Sequence, residues 1–155
     1  MHDKYMRIAI NKAHEGVLRH EYPFGCCIIC EGVTIATNNT CISSRSVIRH
    51  AEINAIETMC KQLKKLDLSN AVIYTTTEPC TMCLAAISWA KIPILVYGTR
   101  KQYSTDMGFP ENELSSSLIL EASPNKIALC GGILEEECKN LFIEWQTQNC
   151  GLFAK

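Results

Sequence analysis

Apolar residues in the first twenty positions recur at the spacing of a helix face. Met6, Ala9, Ala13 and Val17 stand three or four apart, which lines them along one side of a helix over residues 3–20. Pro23-Phe24-Gly25 breaks that pattern, because proline and glycine punctuate helices. Cys26–Cys30 and Val33–Thr37 then flank Glu31-Gly32, a short hairpin signal. Residues 38–49 are polar, follow neither period, and read as a loop. Ile53, Ile56, Met59, Cys60 and Leu63 restore helical spacing over residues 51–65. Ala71–Thr75 and Ile94–Tyr97 are short apolar runs that read as buried strands. Between them a helix runs from Cys80 to Lys91, with Pro79 at its opening, where the missing N–H costs nothing.

The remainder is less regular. Residues 100–114 contain Gly108 and Pro110 and read as irregular, 115–122 as a short helix or turn, and 126–130 as a weak strand. A last helix spans Ile133 to Gln146, with Leu141, Phe142 and Trp145 on its apolar side. The order α-β-β-α-β-α-β-(α)-β-α predicts an α/β fold, a mixed sheet with helices on both faces. A chain of 155 residues without linker or repeat suits one domain over 1–155.

Composition narrows the compartment and the partners. A formal net charge of −1 sets up no global field toward nucleic acid or anionic lipid. No apolar run reaches membrane-spanning length. The ten cysteines sit mostly inside apolar runs, where a free cysteine acts as a small hydrophobe. Met1-His2-Asp3-Lys4-Tyr5 carries no secretory core. Reduced thiols and a cytoplasmic location are therefore expected, rather than a disulfide framework.

Two short strings carry the candidate chemistry: His50-Ala51-Glu52 and Pro79-Cys80-Thr81-Met82-Cys83. Cys80 and Cys83 lie three apart at a helix start, so both sulfurs share one face. The positive end of the helix favours the thiolate, the form that binds metal. His50 and Glu52, two apart, would point away from each other within a regular helix. His50 is accordingly expected at the very start of its helix, where both side chains can turn inward. His50, Cys80 and Cys83 then make three corners of a tetrahedral zinc site, one ion per chain, with water at the fourth. Glu52 stands ready as general acid and base. The competing reading is a structural zinc closed by Cys41, Cys60 or Cys130. Arg45 and Arg49 flank the motif as candidate contacts for a phosphate or ribose, whereas Lys61, Lys64 and Lys65 read as a solvated helix face.

H-x-E followed by P-C-x-x-C resembles the signature of the zinc nucleobase deaminases. With Pro23-Phe24-Gly25, Asn38-Asn39 and Trp89-Ala90-Lys91, the chain resembles the cytidine-deaminase-like superfamily over nearly its whole length, and its purine branch in particular. The resemblance implies a three-layer α-β-α fold around a five-stranded mixed sheet, usually in a homodimer. It implies that Asn38 hydrogen-bonds the base edge and that Phe24 and Trp89 pack against the ring. Met107-Gly108-Phe109 resembles the segment that presents acidic selectors to guanine, which would make Glu111 the selector here. The implied reaction is zinc-dependent deamination of a small purine base or nucleoside, with guanine the lead substrate. The alternatives are wobble adenosine in tRNA and, from another class, an inactive zinc-binding scaffold.

Overall fold

The apolar stripe of the first helix, His2–Leu18 (α1), is buried at Met6, Ala9, Ala13 and Val17. It lies on the hairpin of β1 (Gly25–Cys30) and β2 (Val33–Asn38). Glu31 and Gly32 both adopt positive φ, the two-residue turn whose twist matches paired antiparallel strands. The structure, a computed structural model, describes residues 1–110 and 114–150. After the hairpin come α2 (Cys41–Ser44), α3 (Ala51–Leu63), β3 (Ala71–Thr77), α4 (Thr81–Trp89) and β4 (Ile94–Thr99). The chain continues through α5 (Lys101–Asp106), α6 (Ser116–Glu121), β5 (Ala128–Cys130) and α7 (Glu135–Asn149).

The five strands form one mixed sheet in the order β2-β1-β3-β4-β5. β1 pairs antiparallel with β2 and β3, while β3–β4 and β4–β5 are parallel. Alternate strand residues point to opposite faces, and this splits the core in two. Cys26, Ile28, Ile73 and Leu95 meet Ala55, Met59, Leu84 and Ile87 of α3 and α4. Cys27, Tyr74 and Val96 meet Met6 and Ala9 of α1 and Cys138 of α7. Helices on both faces of the sheet give the expected three layers. Gly25 allows the closest approach between layers: a Cβ there would lie 2.1 Å from the Ala9 carbonyl oxygen and 2.7 Å from the Ala13 nitrogen.

Two short helices lie in stretches whose sequence has no period. In α2, the buried carboxylate of Glu21 accepts from the Ile42 and Ser43 backbone N–H groups at 3.0 and 2.8 Å. That capping partner lies more than twenty residues away, so no local pattern announces it. α5 has one buried residue, Ser104, and is held by Tyr103 packing on Phe142.

Candidate active site and metal centre

Two helix starts face each other across the α3–α4 contact. His50 caps α3 with extended backbone (φ −65°, ψ 155°), and Cys80 caps α4 likewise (φ −69°, ψ 168°). Neither residue is helical, and for His50 this removes the helical spacing that would point it away from Glu52. His50 Nδ1 lies 3.6 Å from Sγ of both Cys80 and Cys83. The donor atoms of all three residues fall within 4.8 Å of one another. Sulfur at about 2.3 Å and nitrogen at about 2.0 Å from one zinc, at a tetrahedral angle, stand roughly 3.5 Å apart. The three residues are positioned to bind one metal ion. Among the described residues Cys41, Cys60 and Cys130 do not join them. Three protein donors leave the fourth position of a zinc ion to water, the catalytic form of such a site.

Electrostatics separate the two sulfurs. The hydrogen bond with Cys83, followed by that with His50, lowers Cys80 to about 4 against the opposing effect of burial. The hydrogen bond to Cys80 and burial push the Cys83 thiol up. Glu52, the second residue of α3, is buried with Oε2 3.5 Å from Cys83 Sγ. Burial raises its carboxyl to about 7; the charge of Cys80 adds to the rise and His50 opposes it. Glu52 thus stands beside the ligand cluster as a carboxyl poised to gain or lose a proton near neutrality.

A cavity of about 330 Å³ opens on His50. The segment leading into the hairpin brings Tyr22 and Phe24 to it, and Asn39 follows the hairpin. The backbone N–H of Asn39 donates to the Phe24 carbonyl at 2.9 Å, and its Oδ1 accepts from the Cys41 N–H at 2.9 Å. The turn after α5 supplies Gly108, Phe109 and Pro110, and α7 supplies Trp145. Phe109 packs edge-on against Phe24 and Trp145, with ring centroids 5.3 and 4.8 Å apart.

Of the residues assigned by resemblance to the base, Phe24 stands in this cavity. Asn38 does not. Its side chain accepts from Arg19 and donates to the Asn39 carbonyl, and it lines a separate polar cleft with Lys12, Arg49 and Glu57. Asn39 takes the place expected of Asn38, because adjacent residues at a strand end point opposite ways. Trp89 is 86% exposed at the far end of α4 and lines another cavity with Leu84 and Ile119. Nine positions after Cys80, it lies about 13 Å further along the helix axis. Trp145, expected as packing or a dimer contact, is buried against Phe109 and also lines the His50 cavity. Glu111 lies outside the described residues. Arg49 forms an ion pair with Glu57. The doubled asparagine was the visible signal for Asn39; nothing in the α7 stripe marked Trp145 as a cavity residue.

The profile of the cytidine and deoxycytidylate deaminase zinc-binding region matches residues 1–99. The chain belongs to this deaminase family. The match includes His50, Glu52, Cys80 and Cys83, the residues that meet in the structure. This deaminase is similar to the guanine deaminase of Bacillus subtilis, with 34% identity over 72% of each chain. It also resembles a solved tRNA:A34 deaminase at 30% identity and a TM-score of 0.76, covering 89% of this chain and 98% of the other. The guanine deaminase of Nitrosomonas europaea superposes with a TM-score of 0.83 at 25% identity, covering 94% of this chain and 84% of the other. The deaminase fold and the zinc-binding motif thus come together in one chain. No helix among the described residues is long and apolar enough to cross a membrane.

Proposed function

We propose that this deaminase, acting as one domain over residues 1–155, hydrolyses guanine to xanthine and ammonia. The observation that carries the reading is Glu52: a buried carboxyl 3.5 Å from Cys83 in the cluster of three metal-type donors, of which His50 lines an aromatic cavity. Zinc bound by His50, Cys80 and Cys83 supplies an acidified water near neutral pH. Glu52 takes a proton from the attacking water and returns it to the departing amine, so water adds and ammonia leaves without net proton change. Phe24 and Phe109 bury the faces of a planar ring, and Asn39 offers its amide to a polar ring edge. Guanine is favoured by the likeness to two guanine deaminases. A purine and a second copy of the chain are the partners under this reading.

The second reading is deamination of wobble adenosine in tRNA. Its support is the 98% coverage of the tRNA:A34 deaminase structure. Against it, Arg49 and Lys61 both pair with Glu57, which reduces the positive charge available to a phosphate backbone. Ammonia release from guanine, guanosine, adenine, adenosine, cytosine, cytidine and an anticodon hairpin separates the readings. Turnover of the hairpin with none of free guanine overturns the first.

A further inference from the structure

We propose that Asn54 is a positioning residue for the reaction: its side-chain amide ties together the two ends of the 38–50 segment and so holds Asn39 at the cavity in fixed register with His50. The proposal rests on the reading of Asn39 as a contact to the ring edge, and it holds whichever base is preferred. Asparagine disfavours helix interiors, yet Asn54 stands one turn into α3. Ala51, Ala55 and Met59 of that helix are buried in the core, whereas the half-buried Asn54 turns to the end of β2. Its Nδ2 donates to the Asn38 carbonyl and to Thr40 Oγ1, both at 3.0 Å, and reaches the Arg49 carbonyl at 3.4 Å. Backbone carbonyls can only accept, so the donating nitrogen of the amide is the atom that must face them.

One amide thereby meets the chain on both sides of Asn39 and again just before His50. The peptide that joins Asn38 to Asn39 is held twice. Its carbonyl accepts from Asn54, and its N–H donates to the Phe24 carbonyl at 2.9 Å. The next N–H, that of Thr40, donates to the Arg49 carbonyl at 2.9 Å, which closes the segment at its base. The Glu21 carboxylate fixes the middle of the segment at Ile42 and Ser43; Asn54 joins its ends. Without the Asn54 amide, the Asn38 carbonyl loses this donor and the segment loses a tie across its base. Asn39 is buried, and a displacement of about 1 Å in a site that orients substrate can cost roughly 10²-fold in rate.

The test is a double-mutant cycle on the zinc-loaded full chain, with the best substrate among the bases, nucleosides and hairpin. Asn54→Ala should keep its zinc and lower kcat/KM about tenfold or more. In a chain that already carries Asn39→Ala, the same change should cost less than about twofold, because Asn54 acts through Asn39. A side chain that only stabilised the fold would lower the melting temperature and leave the two losses multiplied. Hydrogen exchange read by mass spectrometry adds a measurement independent of turnover. Peptides covering 38–50 should exchange faster in Asn54→Ala, while those of β3 and β4 match the wild type. If Asn54→Ala does not fold, Asn54→Ser, which keeps one donor on a shorter arm, replaces it in both experiments. Multiplied losses, an unchanged kcat/KM in a folded Asn54 variant, or unchanged exchange over 38–50 overturns the positioning role and leaves the functional reading standing. A harmless Asn39→Ala overturns the ring-edge contact, and the positioning role with it. A best substrate other than guanine, with the cycle as expected, overturns the guanine reading alone.

Discussion

At the scale of single residues, the site divides its tasks among groups with different environments. The hydrogen bond between the two cysteines lowers Cys80 and, with burial, raises Cys83; as two of the three donors, both sulfurs are needed to keep the ion. Purified protein should carry about one zinc per chain, as a catalytic site of this type implies. Cys80→Ala and Cys83→Ala should each lose it by elemental analysis, and full retention in both would refute the assignment. Glu52 is not needed to hold metal. Glu52→Gln should therefore keep zinc and the melting temperature while turnover falls about 10²–10⁴-fold, the usual weight of general acid–base help. Near-normal turnover would remove Glu52 from the mechanism. Asn39→Ala should weaken turnover at least about tenfold through a lost hydrogen bond in a buried site. Asn38→Ala, whose side chain faces Arg19, should leave kcat/KM within about twofold; the reverse ranking would return the base contact to Asn38.

The elements work by close approach. α1 rests directly on the start of β1, and only a hydrogen at Gly25 fits between them. Gly25→Ala should cost about 1–3 kcal/mol, the range for forcing extra volume into a packed core, read as a lower denaturation midpoint at unchanged slope. A midpoint equal to the wild type would mean that the two layers can part at no cost. The ends of α3 and α4 matter more to chemistry than their lengths. By leaving the helix at His50, the backbone turns inward a side chain that a regular helix would direct away from Glu52. α2 shows how a remote group shapes the approach to that site. The Glu21 carboxylate ties down the backbone just after Asn39 and ahead of His50.

At the scale of the whole molecule, burial grades the cysteines. All ten are free thiols. Burial pushes Cys27 to about 11 and Cys138 to about 12, while Cys80 sits at about 4. An alkylating reagent needs the thiolate. In metal-free folded protein, Cys80 should react first. Its thiolate persists down to its lowered value, so its labelling should change little between pH 8 and pH 6. Labelling of a thiol with an ordinary value near 8.5 falls about tenfold per unit as pH drops over that interval. Zinc should protect Cys80, and Cys27 and Cys138 should label only on unfolding, all followed by peptide mass spectrometry. Labelling of Cys80 that falls in step with an ordinary thiol would contradict the environment described.

The local pattern determined much by itself. Met6, Ala9, Ala13 and Val17 announced α1, and the apolar runs around Glu31-Gly32 announced the first hairpin, because periodicity depends only on neighbours in sequence. His50, Glu52, Cys80 and Cys83 were equally legible, since metal chemistry restricts the residue types and a helix start fixes the Cys spacing. Tertiary structure decided the rest. Whether Asn38 or Asn39 meets the cavity turns on which way a strand end faces. Trp89 and Trp145 each lie on a helix, and only the packing of α7 against Phe109 puts one of them in the cavity and leaves the other in solvent. Those choices come from contacts between segments far apart in the chain, and no local spacing records them.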